Sequence, residues 1–272
     1  DERATLDFVD AHVAERGHTA ETAAYPSDRI KALFLDELVI ECDYVFCLTV
    51  TRHRSQIHDN ATHASFANLN EYKPIRAAAG HATPFALRIV DSQQVFAGQG
   101  ILPVEAVRLR DAGATAPEIR TRLEFLAERS YAYMVPRDLG YLRARVKHRG
   151  DKSVSLLAAM IGGALDIKPI LHCHRGDTGP VGKIRGFEPA AEKLLGFVAD
   201  RVRAGLLTPT LCLSYGGELE QMRALPGYDA LVEACDAHHV ERFETVMSLT
   251  GMVNVGAGSL TVGFAAPPHT FA

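Results

Sequence analysis

The sequence predicts a two-domain α/β protein, with an N-terminal parallel sheet and flanking helices over residues 1–130 and a C-terminal mixed sheet with helices over 131–272. Three observations lead there. Short apolar runs rich in β-forming residues alternate with helical patterns up to residue 130, the spacing of parallel βα units. Beyond Ser130 two such runs close on a Gly-rich turn at 176–179, the pattern of a hairpin. The 272 residues, 47% of them hydrophobic, are enough to fill two cores.

Taken in order, Leu6 to Arg16 carries Leu6, Phe8, Val9 and Val13 as a helix closed by Gly17. Tyr25-Pro26-Ser27-Asp28 opens a second helix through Ile30, Leu33, Phe34 and Leu38. Tyr44 to Leu48 is a buried strand delivering the polar loop TVTRHRSQIHDNA onto a helix from Ile57. A polar connection around Lys73-Pro74 leads to a second strand, Phe85 to Val90, stopped by Asp91-Ser92. Helices over Gly98 to Asp111 and Pro117 to Glu128 follow, with Pro117 at a first helical position. After strand Tyr131 to Val135 come a short helix to Ala144, a charged exposed loop Val146 to Lys152 and an apolar helix Ser153 to Leu165. Strands Lys168 to His174 and Pro180 to Arg185 form the hairpin, and Pro189 to Ala204 is a long amphipathic helix. Strand Thr210 to Tyr215, helix Leu219 to Leu225, strand Phe243 to Leu249, a Gly-rich loop Gly251 to Gly258 and strand Ser259 to Phe264 complete the pattern.

Composition narrows the function. A net charge of −4 with both signs interspersed offers no basic face for nucleic acid or anionic lipid. Five cysteines, Cys42, Cys47, Cys173, Cys212 and Cys235, contain no CxxC pair and lie mostly in apolar runs, so free thiols in the cytoplasm are expected. No apolar run reaches the length of a membrane span and no signal segment is present; the chain opens on Asp1 rather than Met, so residues are expected in front of it.

Candidate chemistry begins at Ser55, at a natural N-cap position after a buried strand. Its hydroxyl and unpaired backbone N–H groups suit a carboxylate or phosphate, and equally an ordinary helix cap. Asn254 sits among three glycines in the loop Thr250 to Gly258, where its amide could face an oxyanion; the loop lacks the third glycine of a dinucleotide fingerprint. His172 and His174 share a strand face, but no further ligand lies at a recognisable spacing, so no metal site is expected. GxSxG, P-loop and HExxH motifs are absent. Ser55 with His58 leaves a serine-dependent acyl hydrolase or transferase as the alternative to binding. The exposed loop Arg143 to Lys152 and Arg185 at a strand end are candidate partner contacts.

Several segments together resemble one family. Thr51 to Ala61, Val90 to Val95, Leu139 to Arg143, Ala164 to Leu171, Lys183 to Gly186 and Thr250 to Gly258 follow the order and spacing of the DegV family, with the IKPIL run and the VDS strand end the most specific. The resemblance implies a two-domain α/β protein that binds one long-chain fatty acid in a tunnel between its domains, with no cofactor and no catalysis of its own. In some members the bound acid is presented to a fatty acid kinase.

Carried over residue by residue, Ser55 falls on the family's loop serine and Pro26-Ser27 on the end of a Pro-Ser segment. Ala23 and Ala24 stand where the family has Thr and Ser, Asn254 where it has His, and Val255 where Thr is common. Asn cannot carry the positive charge of His⁺, so either Arg52, Arg54 or His58 supplies it or the ligand is not a simple carboxylate. The expected carboxylate set is Ser55, Asn254, Ser27 and Arg54, with Arg185 and Arg143 toward a partner. The family's opening strand and its Asp-Ser/Thr turn have no match. The helix Ser153 to Leu165, with Ala158, Ala159, Gly162 and Gly163, is either tunnel lining or plain helix packing.

Overall fold

The computed structural model describes residues 2–13, 19–148 and 166–272. The expected helix Ser153 to Leu165, the rest of the loop beyond His148 and the Gly17 helix end lie outside them. Helix α1 (Glu2–Phe8) runs on through a π-helical turn, Val9–Val13. Helix α2 (Ser27–Leu33) continues through a second such turn, Phe34–Leu38, into Val39–Glu41.

Strands β1 (Tyr44–Thr49) and β2 (Ala86–Asp91) pair in parallel, Tyr44 beside Ala86 and Thr49 beside Asp91. Alternation splits their side chains between two faces. Cys47, Leu87 and Ile89 pack with Ile30 and Phe34 of the α2 segment and with Ala61 and Ala64 of α3 (Ile57–Asn68). Phe46, Leu48 and Val90 face the other way, onto α5 (Ile101–Asp111) and α6 (Ala116–Ala127). Between α3 and β2 the expected polar connection is a helix, α4 (Tyr72–Ala78). Pro74 sits in its first turn, where a missing N–H costs nothing, and Arg76, only 2% exposed, fastens the helix to its surroundings. Arg76 Nη1 donates to the carbonyls of Val39 at 2.7 Å and Cys42 at 2.8 Å.

The larger sheet has six strands in the spatial order β5-β4-β3-β8-β6-β7. They are β3 (Ser130–Val135), β4 (Ile167–His174), β5 (Asp177–Arg185), β6 (Thr210–Tyr215), β7 (Glu241–Val246) and β8 (Leu260–Ala265). All neighbours are antiparallel except β6 and β7. One face packs Tyr131, Tyr133, Leu211, Leu213, Val262 and Phe264 against α8 (Phe187–Ala204) and α10 (Tyr228–Ala237); the latter helix was not expected. A short helix α9 (Leu219–Arg223) precedes it. The opposite face packs Cys212 and Ala265 against Ala97, Ile101, Leu102 and Leu123.

The helix pair α5 and α6 therefore lies between the two sheets. Its approach is closest at a 3₁₀ turn, Phe96–Gly100, where a methyl group on Gly263 would lie 2.5 Å from the backbone of Gly98. Glu105 of α5 fixes the junction: it accepts from Arg108 Nη1 at 2.7 Å, Arg122 Nε at 2.8 Å and the Thr208 hydroxyl at 2.7 Å. Burial pushes this carboxyl up, but the Thr208 and Arg122 hydrogen bonds and the two guanidinium charges outweigh it and hold it below its ordinary value. Residues 97–127, on the N-terminal side of the expected division near Ser130, pack on both sheets.

The expected Gly-rich loop is mostly helix, α11 (Leu249–Val255). Ser248 caps it, accepting from Gly251 N at 3.2 Å, and Gly256 at φ +88° ends it. Gly251 is there for space: a Cβ would meet Met247 Cγ at 2.6 Å.

Candidate functional site

A cavity of about 1270 Å³ opens between the loop after β1 and the large sheet. That exceeds the roughly 300–1,000 Å³ of ordinary small-molecule sites. Phe96, Val104, Met134, Leu142, Leu171, Phe243, Val246 and Met247 give it an apolar wall drawn from the large sheet and the helices and turns beside it. Its polar side chains include Arg54, Ser55 and Gln56 after β1, Thr22 before α2, Arg145 of α7 (Leu139–His148), His172 of β4, Thr178 of β5, and Ser248, Thr250 and Asn254 around α11. The β1 loop leaves the C-terminal end of a parallel strand, where such sheets place their ligands.

The N-cap of α3 is Gln56, so Ser55 stands one residue before the expected cap position, and it keeps a proton to give. Its Oγ accepts from Ile57 N at 3.2 Å, which uses a lone pair and leaves the O–H available to an acceptor. Arg54 donates through Nη2 to the Thr178 hydroxyl on β5, a contact that joins the β1 loop to the large sheet. Arg52 is bound through Nε to Asp91 Oδ2 at 3.2 Å, so the VDS strand end offsets that charge. His58 turns its Nδ1 to the Thr49 hydroxyl at 3.1 Å, and among the described residues no hydrogen bond joins it to Ser55. The nucleophile and base arrangement is therefore not formed. Two thiols on the wall, Cys173 and Cys212, are pushed by burial up to about 11 and about 12, which keeps both neutral and unreactive at physiological pH.

Asn254 lines the cavity, yet its amide is engaged on both sides. Its Nδ2 donates to the Thr250 carbonyl at 2.8 Å. Its Oδ1 accepts from Arg145 Nε at 3.3 Å and Nη2 at 3.2 Å. Arg145 is 2% exposed and donates through Nη1 to the Ala20 carbonyl. Five residues on, Asn60 of α3 donates through Nδ2 to the Tyr25 carbonyl at 2.8 Å. The extended strap between these anchors carries Thr22, Ala23 and Ala24 along the cavity, from the Arg145–Asn254 pair toward α3.

Of the expected site residues, Ser55, Arg54 and Asn254 are brought to one cavity. Ser27 is not on its lining: its hydroxyl donates to the Asn60 carbonyl at 3.0 Å and holds α2 to α3. Arg143 and Arg185 are exposed, on α7 and at the end of β5. His172 and His174 lie beside Tyr133 and Tyr131, the latter pair stacked at 4.0 Å, and among the described residues no group of three His, Cys, Asp or Glu could hold a metal ion. Arg145 escaped the sequence reading. It stands with Leu142 and Val146 at helical i, i+3, i+4 spacing, and a basic residue on that apolar face was the available signal.

A family model described as an uncharacterised protein of the DegV family matches residues 1–266. A DegV domain-containing protein of Xanthomonas axonopodis pv. citri is 62% identical over 271 residues, covering 100% of this chain and 86% of the relative. A second, from Xanthomonas campestris pv. campestris, is 61% identical over the same length and shares. Among solved structures, DegV of Bacillus subtilis, described as a fatty acid binding protein, superposes with a TM-score of 0.71 at 20% identity over 98% of this chain and 84% of its own. A stearic-acid-binding protein of Eubacterium ventriosum gives 0.73 at 17% identity, over 97% and 83%. At such identities the likeness is one of fold.

Proposed function

The chain belongs to the DegV family, and from that membership we propose that it binds one long-chain fatty acid in the cavity between its sheets, as a carrier rather than an enzyme. The observation that carries this reading is a large cavity with an apolar wall whose polar side chains include Ser55, Arg54 and Arg145. A buried acyl chain gains on the order of 0.8 kcal/mol per CH₂. Affinity then comes mainly from the tail, and the head group sets direction. The separation of His58 from Ser55 and the neutral thiols support binding over catalysis. Five free cysteines and the absence, among the described residues, of a helix long and apolar enough to cross a membrane agree with a cytoplasmic carrier. Presentation of the carboxylate to a fatty acid kinase extends the proposal, with the exposed Arg143 and Arg185 as contacts.

The test is extraction of the purified protein with organic solvent and mass spectrometry of the extract, followed by titration of the stripped protein with palmitate and oleate. An acyl chain in the extract and saturable binding are expected. A blank extract together with no binding of either acid would remove the proposal. Turnover of an acyl ester that vanishes in Ser55→Ala would favour the hydrolase instead.

A further inference from the structure

We infer that Arg145 supplies the positive charge that a fatty-acid carboxylate meets, with Asn254 as the residue that positions it. The inference rests on the fatty-acid reading and adds the residue that selects an acid over an uncharged lipid of the same length. Arg145 lies where three lining segments converge: its own helix α7, the helix α11 through Asn254, and the strap through Ala20. It is 2% exposed and still on the cavity lining. A guanidinium keeps its charge under burial, and its field is much less attenuated there than at the surface.

The other cations near the cavity are placed differently. Arg52 is 59% exposed in its side chain and salt-bridged to Asp91, and Arg54 reaches across to Thr178. Asn254 is the complementary half of the Arg145 arrangement. One amide oxygen receives two guanidinium N–H groups, which fixes the plane of the guanidinium. Through that oxygen Asn254 orients Arg145, while Thr250 takes one of its two amide N–H groups. An imidazolium at position 254 would set two cations against each other. A neutral acceptor there and a buried arginine at 145 belong together.

The experiment compares palmitate with 1-hexadecanol, equal in chain length and lacking the charge, on stripped full-length protein. Wild type is expected to prefer palmitate, and Arg145→Met to reduce the palmitate-to-hexadecanol affinity ratio about tenfold or more, the scale of one hydrogen bond to a charged group. Arg145→Lys should restore part of the ratio. Because Arg145 is buried, Asn254→Asp provides a second route: it places a carboxylate against the guanidinium at nearly unchanged volume and should lower the same ratio, with circular dichroism and a thermal melt confirming the fold. An unchanged ratio in folded Arg145→Met or Asn254→Asp would overturn the assignment and leave fatty-acid binding standing. Wild-type protein that binds neither lipid would overturn both.

Discussion

Ser55 combines two roles in one hydroxyl, accepting from the backbone of α3 and retaining a proton that faces the cavity. Replacing it with alanine removes both. Ser55→Ala is expected to cost about 1 kcal/mol of stability as a lost hydrogen bond to the first turn of α3, seen as a fall of about 2–4 °C in Tm, and to weaken palmitate binding about three- to tenfold by titration. A melt that drops with unchanged affinity would leave Ser55 a partner of the α3 backbone only. Position along the chain made Ser55 and Asn254 stand out, one after a strand end and the other among glycines, while Arg54 entered as a charge to replace the family's His. What each does was less legible. The side-chain amide of Asn254 takes its meaning from Arg145, more than a hundred residues away in sequence, and no local pattern encodes that pairing. Ser27 shows the reverse: it matched a family hydroxyl, yet its geometry commits it to Asn60.

At the scale of elements, strands were read more successfully than helices. The central strands β3, β6 and β8 are buried throughout and announce themselves by composition, whereas the outer strands β5 and β7 are half-exposed and mixed. The helices α4 and α11 were read as loops because Lys-Pro and repeated glycines resemble breakers, whereas here the proline occupies a first turn and Gly251 makes room for Met247. Glycines in this fold divide by contact, which gives a paired prediction. Gly263→Ala sets a methyl group 2.5 Å from the Gly98 backbone and should destabilise by about 3 kcal/mol through overpacking, with weaker lipid binding because Ala97 and Gly100 of the displaced turn line the cavity. Gly196→Ala, in α8 with nothing within 4 Å of its new Cβ, should stabilise by about 0.5–1 kcal/mol. Urea midpoints of the two variants check both signs; equal shifts would contradict this account of the 3₁₀ turn.

At the scale of the molecule, the two-sheet architecture was legible from strand spacing, but the sharing of α5 and α6 between the sheets was not, since both faces of that helix pair are apolar and sequence does not say which sheet each face meets. The sharing matters for the cavity, which the large sheet, α5 and the loop after β1 wall together. Ligand binding should therefore stabilise the whole fold: palmitate at about a hundred times its Kd should add about 2.7 kcal/mol, read as a Tm that climbs with ligand concentration. A Tm indifferent to saturating palmitate would contradict this linkage. The order of strands in the large sheet has a consequence for how the protein is made. Strand β8 is synthesised after β7 yet lies between β3 and β6, where Ser130 pairs with Ala265 and Leu211 with Phe264. Until β8 enters, that sheet is two separate pieces, β5-β4-β3 and β6-β7, and such distant pairings close slowly. A nascent chain still lacking β8 therefore lacks the joined sheet that walls the cavity, and a ligand meets that wall only in the completed protein.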